Sequence, residues 1–151
     1  MMNIEIQTMT KEHLKQIKNI LQEQFDEFWN ANVLDKELEN PLSDYVVAIE
    51  NGQVVGYAGI WQPIDEGHIT NIVTKKDKRG NHIGTKMLEE IIALAKRKEL
   101  KSVTLEVNEH NETAIRLYKK HNFIEVGKRS KYYNNVDDAI IMTLNLKDNC
   151  I

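Results

Sequence analysis

A chain of 151 residues that is 41% hydrophobic and holds only two prolines is long enough to close one core and too apolar for disorder, so a single domain over residues 1–151 is expected. Its formal charge of −3 gives nucleic acid and anionic membrane no general attraction, and no apolar run approaches the ~18 residues of a membrane helix. The opening lacks the basic-then-apolar order of a secretion signal, and the one cysteine, Cys150, excludes an internal disulfide, so a cytoplasmic protein, monomer or homodimer, is expected.

In chain order, "NIEIQTM" alternates as a strand does, and Thr10 then caps a helix in which Leu14, Ile17, Ile20, Leu21 and Phe25 recur at helical spacing. Phe28, Trp29, Val33, Leu34 and Leu38 suggest a second helix that stops before Pro41. "DYVVAIENGQVVGYAGIWQ" reads as two strands joined by Asn51-Gly52, the pair that best tolerates the positive φ angles of a type I′ turn. After a turn around Pro63 to Gly67, "HITNIVT" makes another strand, and "KRGNHIGTKML" leads into a helix with Ile83, Met87, Leu88, Ile91 and Ala95 inward. "SVTLEV" is a strand, "NETAIRLYKKH" a helix from the Asn111 cap, and "FIEVGKR" and "DAIIMTLNL" are two closing strands. Strands and helices interleave, with antiparallel pairs at both ends.

The loop before the long helix inverts the sign of the chain: Lys75, Lys76, Lys78 and Arg79 stand against Asp77 alone, a local +3. If the helix begins near His82, its first-turn amides and the positive end of its dipole face one volume, the general physics of phosphate binding, and Gly80 and Gly84 let the backbone approach a ligand. Taken alone, such a run is more often a solvated loop, and His82 a capping-region residue. There is no GKS or GKT and no GxGxxG, so a nucleotide cradle lacks support.

Read with its flanks, the loop says more. Arg79-x-x-His82-x-Gly84, preceded by "NIVT" and followed by "LEVNEHNETAIRLYKKHNF", resembles the acetyl-CoA-binding core of the GNAT N-acetyltransferase superfamily. Within it the likeness is to the RimI-like enzymes that acetylate the N-terminal alanine of a small-subunit ribosomal protein, through the "LEV…N…AI.LY…F" run, the paired Tyr132-Tyr133 and the ending "DAIIMTL". Three departures stand out: His82 for the first loop glycine, Asn122 for the glycine before Phe123, and "FWN" at 28–30 where Pro-Trp-Ser often stands.

The resemblance implies an α/β (α+β) fold, a single GNAT-like domain whose mixed, mostly antiparallel sheet of about six to seven strands is flanked by about four helices. It implies acetyl-CoA as co-substrate, with the backbone of Ile72, Val73 and Thr74 pairing with the pantetheine arm and the N–H groups of Arg79, Gly80, Asn81, His82, Ile83, Gly84 and Thr85 holding the pyrophosphate. The implied acceptor is a primary amine, foremost the N-terminal α-amine of a ribosomal protein. A small-molecule amine such as a polyamine, an aminoglycoside or an amino acid is the second reading, and a non-catalytic acyl-CoA-binding module the third. A flavodoxin-like nucleotide-binding domain is disfavoured by the hairpin and the antiparallel ends.

Acetyl transfer to an amine needs a neutral nucleophile, a stabilised oxyanion and a proton for the departing thiolate. In "TLEVN", Leu105 and Val107 share one face, which puts Glu106 on the other with Thr104 and Asn108. Alternation alone makes Glu106 a solvent-facing strand residue, and the Ala114, Leu117, Tyr118, His121 stripe makes Tyr118 a core tyrosine. The resemblance adds roles: Glu106 accepts the amine proton, directly or through water, Tyr118 twelve positions on donates to the CoA sulfur, and Asn111 either contacts CoA or caps its helix. An α-amine, with an intrinsic pKa of about 7.7 to 8.0, asks less of such a base than a lysine near 10.4. Tyr132, Tyr133, Asp137 and Asp138 either line a groove for a basic peptide or form a surface turn. The five histidines show neither HxxxH nor HExxH spacing, so no metal is expected.

Overall fold

The alternation at the start of the chain becomes β1 (Ile4–Thr8), and the sheet it opens is completed by β2 (Ser43–Glu50), β3 (Gln53–Trp61), β4 (Glu66–Thr74), β5 (Ser102–Asn108), β6 (Ile124–Tyr133) and β7 (Asp137–Asn145). The structure, a computed structural model, describes residues 3–25, 30–133 and 136–146, without the side chain of Tyr133. Phe28, Trp29 and Cys150 lie outside the described residues. The strand order is β1-β2-β3-β4-β5-β7-β6; β1–β2, β2–β3, β5–β7 and β6–β7 are antiparallel and β4–β5 parallel. The expected mixed, mostly antiparallel sheet is therefore present, with seven strands.

Five α-helices accompany it among the described residues: α1 (Lys11–Ile17), α2 (Leu21–Phe25), α3 (Ala31–Glu39), α4 (Ile83–Arg97) and α5 (Glu112–Lys120). The first expected helix is two, because the N–H of Ile20 donates to the carbonyl of Ile17 at 3.0 Å and the tightened turn interrupts the ladder. The apolar stripe continues across the break, with Leu14, Ile17, Leu21 and Phe25 all buried. Thr10 caps α1 through the N–H of His13, and α3 runs from the Asn30 cap to Asn40, stopping before Pro41 as expected. A further one-turn 3-10 helix covers Lys76–Lys78.

Contacts within the chain gather into two units. The first comprises Met1–Gln62 with Thr70–Leu94. Its core joins Leu14, Ile17, Phe25, Leu34, Val47 and Tyr57, with the Phe25 and Tyr57 rings 5.9 Å apart. The β2–β3 hairpin turns on Asn51 (φ 50) and Gly52 (φ 78), with Glu50 paired to Gln53, which is the two-residue turn the sequence predicts. At Gly56 an added Cβ would stand 2.9 Å from Met87 Cε and 3.0 Å from the Val73 carbonyl oxygen, so only glycine lets β3 lie this close to both.

The second unit comprises Pro63–Ile69 with Ala95–Ile151. There β5 alternates as predicted, with Val103, Leu105 and Val107 buried and Thr104, Glu106 and Asn108 on the opposite face. Glu66, Gly67 and His68 at the start of β4 pair with Ser102, Val103 and Thr104. Phe123 packs against Tyr118, and Asn122, which precedes Phe123, takes φ 72, the left-handed conformation that the glycine it replaces would supply.

Candidate active site

The loop and the glutamate are built differently. In the loop, Gly80 (φ 84) and His82 (φ 64) both take left-handed backbone. His82 thus holds a conformation that glycine reaches at no cost and that histidine reaches more readily than most residues, so the position, not the imidazole, dictates the turn. A Cβ added at Gly80 would meet nothing within 4 Å, so glycine there serves φ rather than space.

The first bond of α4 runs from the Lys86 N–H to the His82 carbonyl at 3.1 Å. The amides of Ile83, Gly84 and Thr85 therefore precede the helical ladder and point out of its positive end. Asn81 braces the turn by donating Nδ2 to the Lys78 carbonyl at 2.9 Å.

Two details qualify the expectation for this loop. The Arg79 N–H turns back to the Lys76 carbonyl at 3.5 Å, and its Nε donates to the Thr74 carbonyl at 3.2 Å. The local +3 is also partly compensated, because Lys78 Nζ lies 2.7 Å from Glu50 Oε1 and that bond holds its ammonium above the ordinary lysine pKa. Ile72, Val73 and Thr74 follow in the same strand after His68, the last residue of β4 registered against β5.

Around Glu106 the arrangement is made of side chains. Its side chain is only 14% exposed, which overturns the solvent-facing expectation from alternation. Arg129 Nη2 stands 3.1 Å from Oε1, and His68 Nε2 stands 4.0 Å from the same oxygen. Along the same face Thr104 shares a 2.8 Å hydrogen bond with Thr143, and Asn108 Nδ2 donates to Asp137 Oδ2 at 3.1 Å. Neither His68 nor Arg129 was a candidate from sequence. The signal that finds them is physical, since a carboxylate this deep demands a counter-charge.

Tyr118 is 5% exposed with its ring 5.7 Å from that of Phe123, so it is a core tyrosine whatever else it does. Asn111 caps α5, accepting from the Ala114 N–H at 3.2 Å. Glu109, His110 and Asp137 each bring one ligand atom within 4.8 Å of the others, yet Glu109 already accepts from the Asp138 N–H at 2.8 Å and Asp137 from Asn108, so the group works as a brace between β5 and β7. Among the described residues no helix is long and apolar enough to cross a membrane.

Comparison with known proteins gives the family and the fold. The sequence pattern of the acetyltransferase (GNAT) family matches residues 14–123. A Bacillus subtilis (strain 168) protein, provisionally named a ribosomal protein bS18-alanine N-acetyltransferase, is 33% identical over 145 residues, covering 95% of this chain and 96% of its own. The crystal structure of the ribosomal-protein-S18-alanine N-acetyltransferase from Escherichia coli superposes with a TM-score of 0.87 at 25% identity, over 97% of this chain and 98% of that one. Arabidopsis thaliana NAA60 in complex with acetyl-CoA shares the fold, with a TM-score of 0.84 over 96% and 99% of the two chains at 15% identity. With a left-handed loop opening a helix, a half-buried glutamate on β5, and a family pattern spanning most of the chain, this protein belongs to the GNAT family of acetyl-CoA-dependent N-acetyltransferases.

Proposed function

We propose that the protein transfers the acetyl group of acetyl-CoA to the N-terminal α-amine of a protein, and that the acceptor is a ribosomal protein beginning with alanine. The observation that carries the acceptor class is the end-to-end likeness, 33% over 95% of the chain, to a relative provisionally named for that reaction. The acceptor's α-amine is neutral in a sizeable fraction near pH 7, so a carboxylate base suffices. The cytoplasm, where ribosomal proteins are made, is the corresponding location.

In this reading the amides of residues 80–85 take the diphosphate, supported by the two left-handed residues and the helix start, and Ile72, Val73 and Thr74 offer their backbone to the pantetheine arm. Glu106 receives the proton of the attacking amine as its nitrogen bonds to the thioester carbon. Tyr118 gives a proton to the sulfur as the carbon–sulfur bond breaks, leaving the amide and free CoA. Asn111 acts as helix cap, with its amide nitrogen available to CoA.

The test is thiol release with acetyl-CoA, comparing peptides that start with alanine against polyamines and aminoglycosides. The proposal expects kcat/KM for the peptide to exceed the others by at least about tenfold, the discrimination that some 1.4 kcal/mol of acceptor binding supplies. A preference for a small amine would move the assignment to the second reading. Acetyl-CoA binding without thiol release from any amine would leave a binding module.

A further inference from the structure

Glu106 has a partner that the reaction does not by itself require. Arg129 stands two strands away, with β7 between β5 and β6, yet its Nη2 reaches Oε1 of Glu106 at 3.1 Å. The register explains the reach. Glu106 faces Ile141, which faces Gly127, and Asn108 faces Ala139, which faces Arg129. Residues opposite one another on neighbouring strands project to the same side, so Arg129 lies on the face of Glu106 one step along. Level with Arg129 the intervening residue on β7 is the small Ala139, and level with Glu106 Ile141 has only Gly127 beside it on β6, so the diagonal from Arg129 to Glu106 passes over the alanine and beside the isoleucine.

The arginine is itself held. Its guanidinium carbon lies 4.7 Å from the centroid of the Tyr132 ring. In a regular strand residues 129 and 132 would point to opposite faces. Between Arg129 and Tyr133 the register shifts and Lys131 takes φ 50, an irregularity that undoes the alternation and brings the aromatic ring under the guanidinium. The Lys131 N–H donates to Asp138 Oδ1 at 2.8 Å, fixing that turn against β7.

We propose that Arg129, backed by Tyr132, is a positioning residue that pins one oxygen of Glu106 and so fixes the direction in which the carboxylate meets the acceptor amine. The inference rests on the reading of Glu106 as the base. With Oε1 held by Arg129, and His68 Nε2 4.0 Å from the same atom, rotation of the carboxylate is restricted before substrate arrives. A planar guanidinium suits this better than an ammonium, because it binds the carboxylate edge-on while its face lies on the ring. Arg129 itself touches neither acetyl group nor amine in this scheme; its effect passes through Glu106.

The test is a kinetic cycle on the full chain with acetyl-CoA and an alanine-first peptide, using Arg129→Gln, Arg129→Lys, Glu106→Gln and the Glu106→Gln/Arg129→Gln pair. Arg129→Gln is expected to lower kcat roughly 10- to 100-fold, the scale of a misplaced catalytic group, with KM for acetyl-CoA within about twofold of wild type. Arg129→Lys should recover part of the loss, and the double variant should be no slower than Glu106→Gln alone, since only one carboxylate transmits the effect. Tyr132→Leu should cost about 2- to 5-fold in kcat, and nothing further once Arg129 is glutamine.

Thermal melts of the same samples separate folding from positioning; if Arg129→Gln melts early, the comparison passes to Arg129→Lys, alone and with Glu106→Gln. Wild-type turnover in Arg129→Gln, or losses that multiply in the double variant, would overturn the inference. Full turnover in Glu106→Gln would instead remove the glutamate as base, and this inference with it.

Discussion

Residues 79–85 and the surroundings of Glu106 make an instructive pair. The loop presents backbone: its shape comes from φ 84 at Gly80 and φ 64 at His82, and its donors are amides that precede the ladder of α4. The glutamate's surroundings present side chains drawn from three strands: Glu106 of β5, His68 of β4 and Arg129 of β6. A backbone site tolerates many residues provided the torsions survive. A side-chain site tolerates few, because each group carries a charge or a proton that its neighbours are set to meet.

The contrast is broken most directly at Glu106. Glu106→Gln keeps size and hydrogen bonding but removes the proposed base, and kcat is expected to fall roughly 10²- to 10⁴-fold while acetyl-CoA affinity, read by calorimetry, changes little. Tyr118→Phe is expected to fall in the same range, towards its lower end where water can replace the phenol as acid. Near wild-type turnover in both variants would take them out of the mechanism.

The loop sharpens the contrast with smaller effects. Gly80→Val forces a β-branched residue into left-handed backbone, at a cost on the order of 1–3 kcal/mol, so acetyl-CoA affinity should fall about 5- to 100-fold with kcat at saturation largely kept. His82→Gly keeps the torsion and removes the imidazole, and acetyl-CoA affinity should stay within about threefold of wild type. A large loss there would show that the ring is itself a ligand group, making this loop partly a side-chain site.

The smallest effect concerns Lys78. Glu50 raises its pKa above the ordinary lysine value of 10.5, so the pair's stabilisation is complete below that value and is lost as pH rises through the raised one. Melting temperatures of wild type and Glu50→Gln should therefore differ slightly at neutral pH and converge well above pH 10.5. A gap that persists at high pH would point to packing by Glu50 rather than charge.

Much of the fold was legible because its signals are local. Asn51-Gly52 makes its own turn, the apolar stripe of α4 is buried at every predicted position, and Asn122 takes the left-handed φ that the missing glycine implied. The break between α1 and α2 was not legible, since the apolar stripe runs on unbroken across the tightened turn at Ile20 that interrupts the ladder.

The site divides in the same way. Gly80, His82 and the helix start could be read in the loop itself. Glu106 could be placed on a face, but its burial and its partners could not, because Arg129 and His68 reach it through the strand order β4-β5-β7-β6 and sit 23 and 38 residues away. No motif singles out Arg129; its face follows from the pairing of β5, β7 and β6, and Tyr132 meets it through the irregularity before Tyr133.

The most direct measurement is thiol release from acetyl-CoA by wild type and Glu106→Gln side by side, on one peptide beginning with alanine. The account predicts robust turnover by wild type and a loss of at least about 100-fold in the variant, with acetyl-CoA still bound by both. Equal rates for the two proteins, or no release by a wild type that binds the coenzyme, would contradict it.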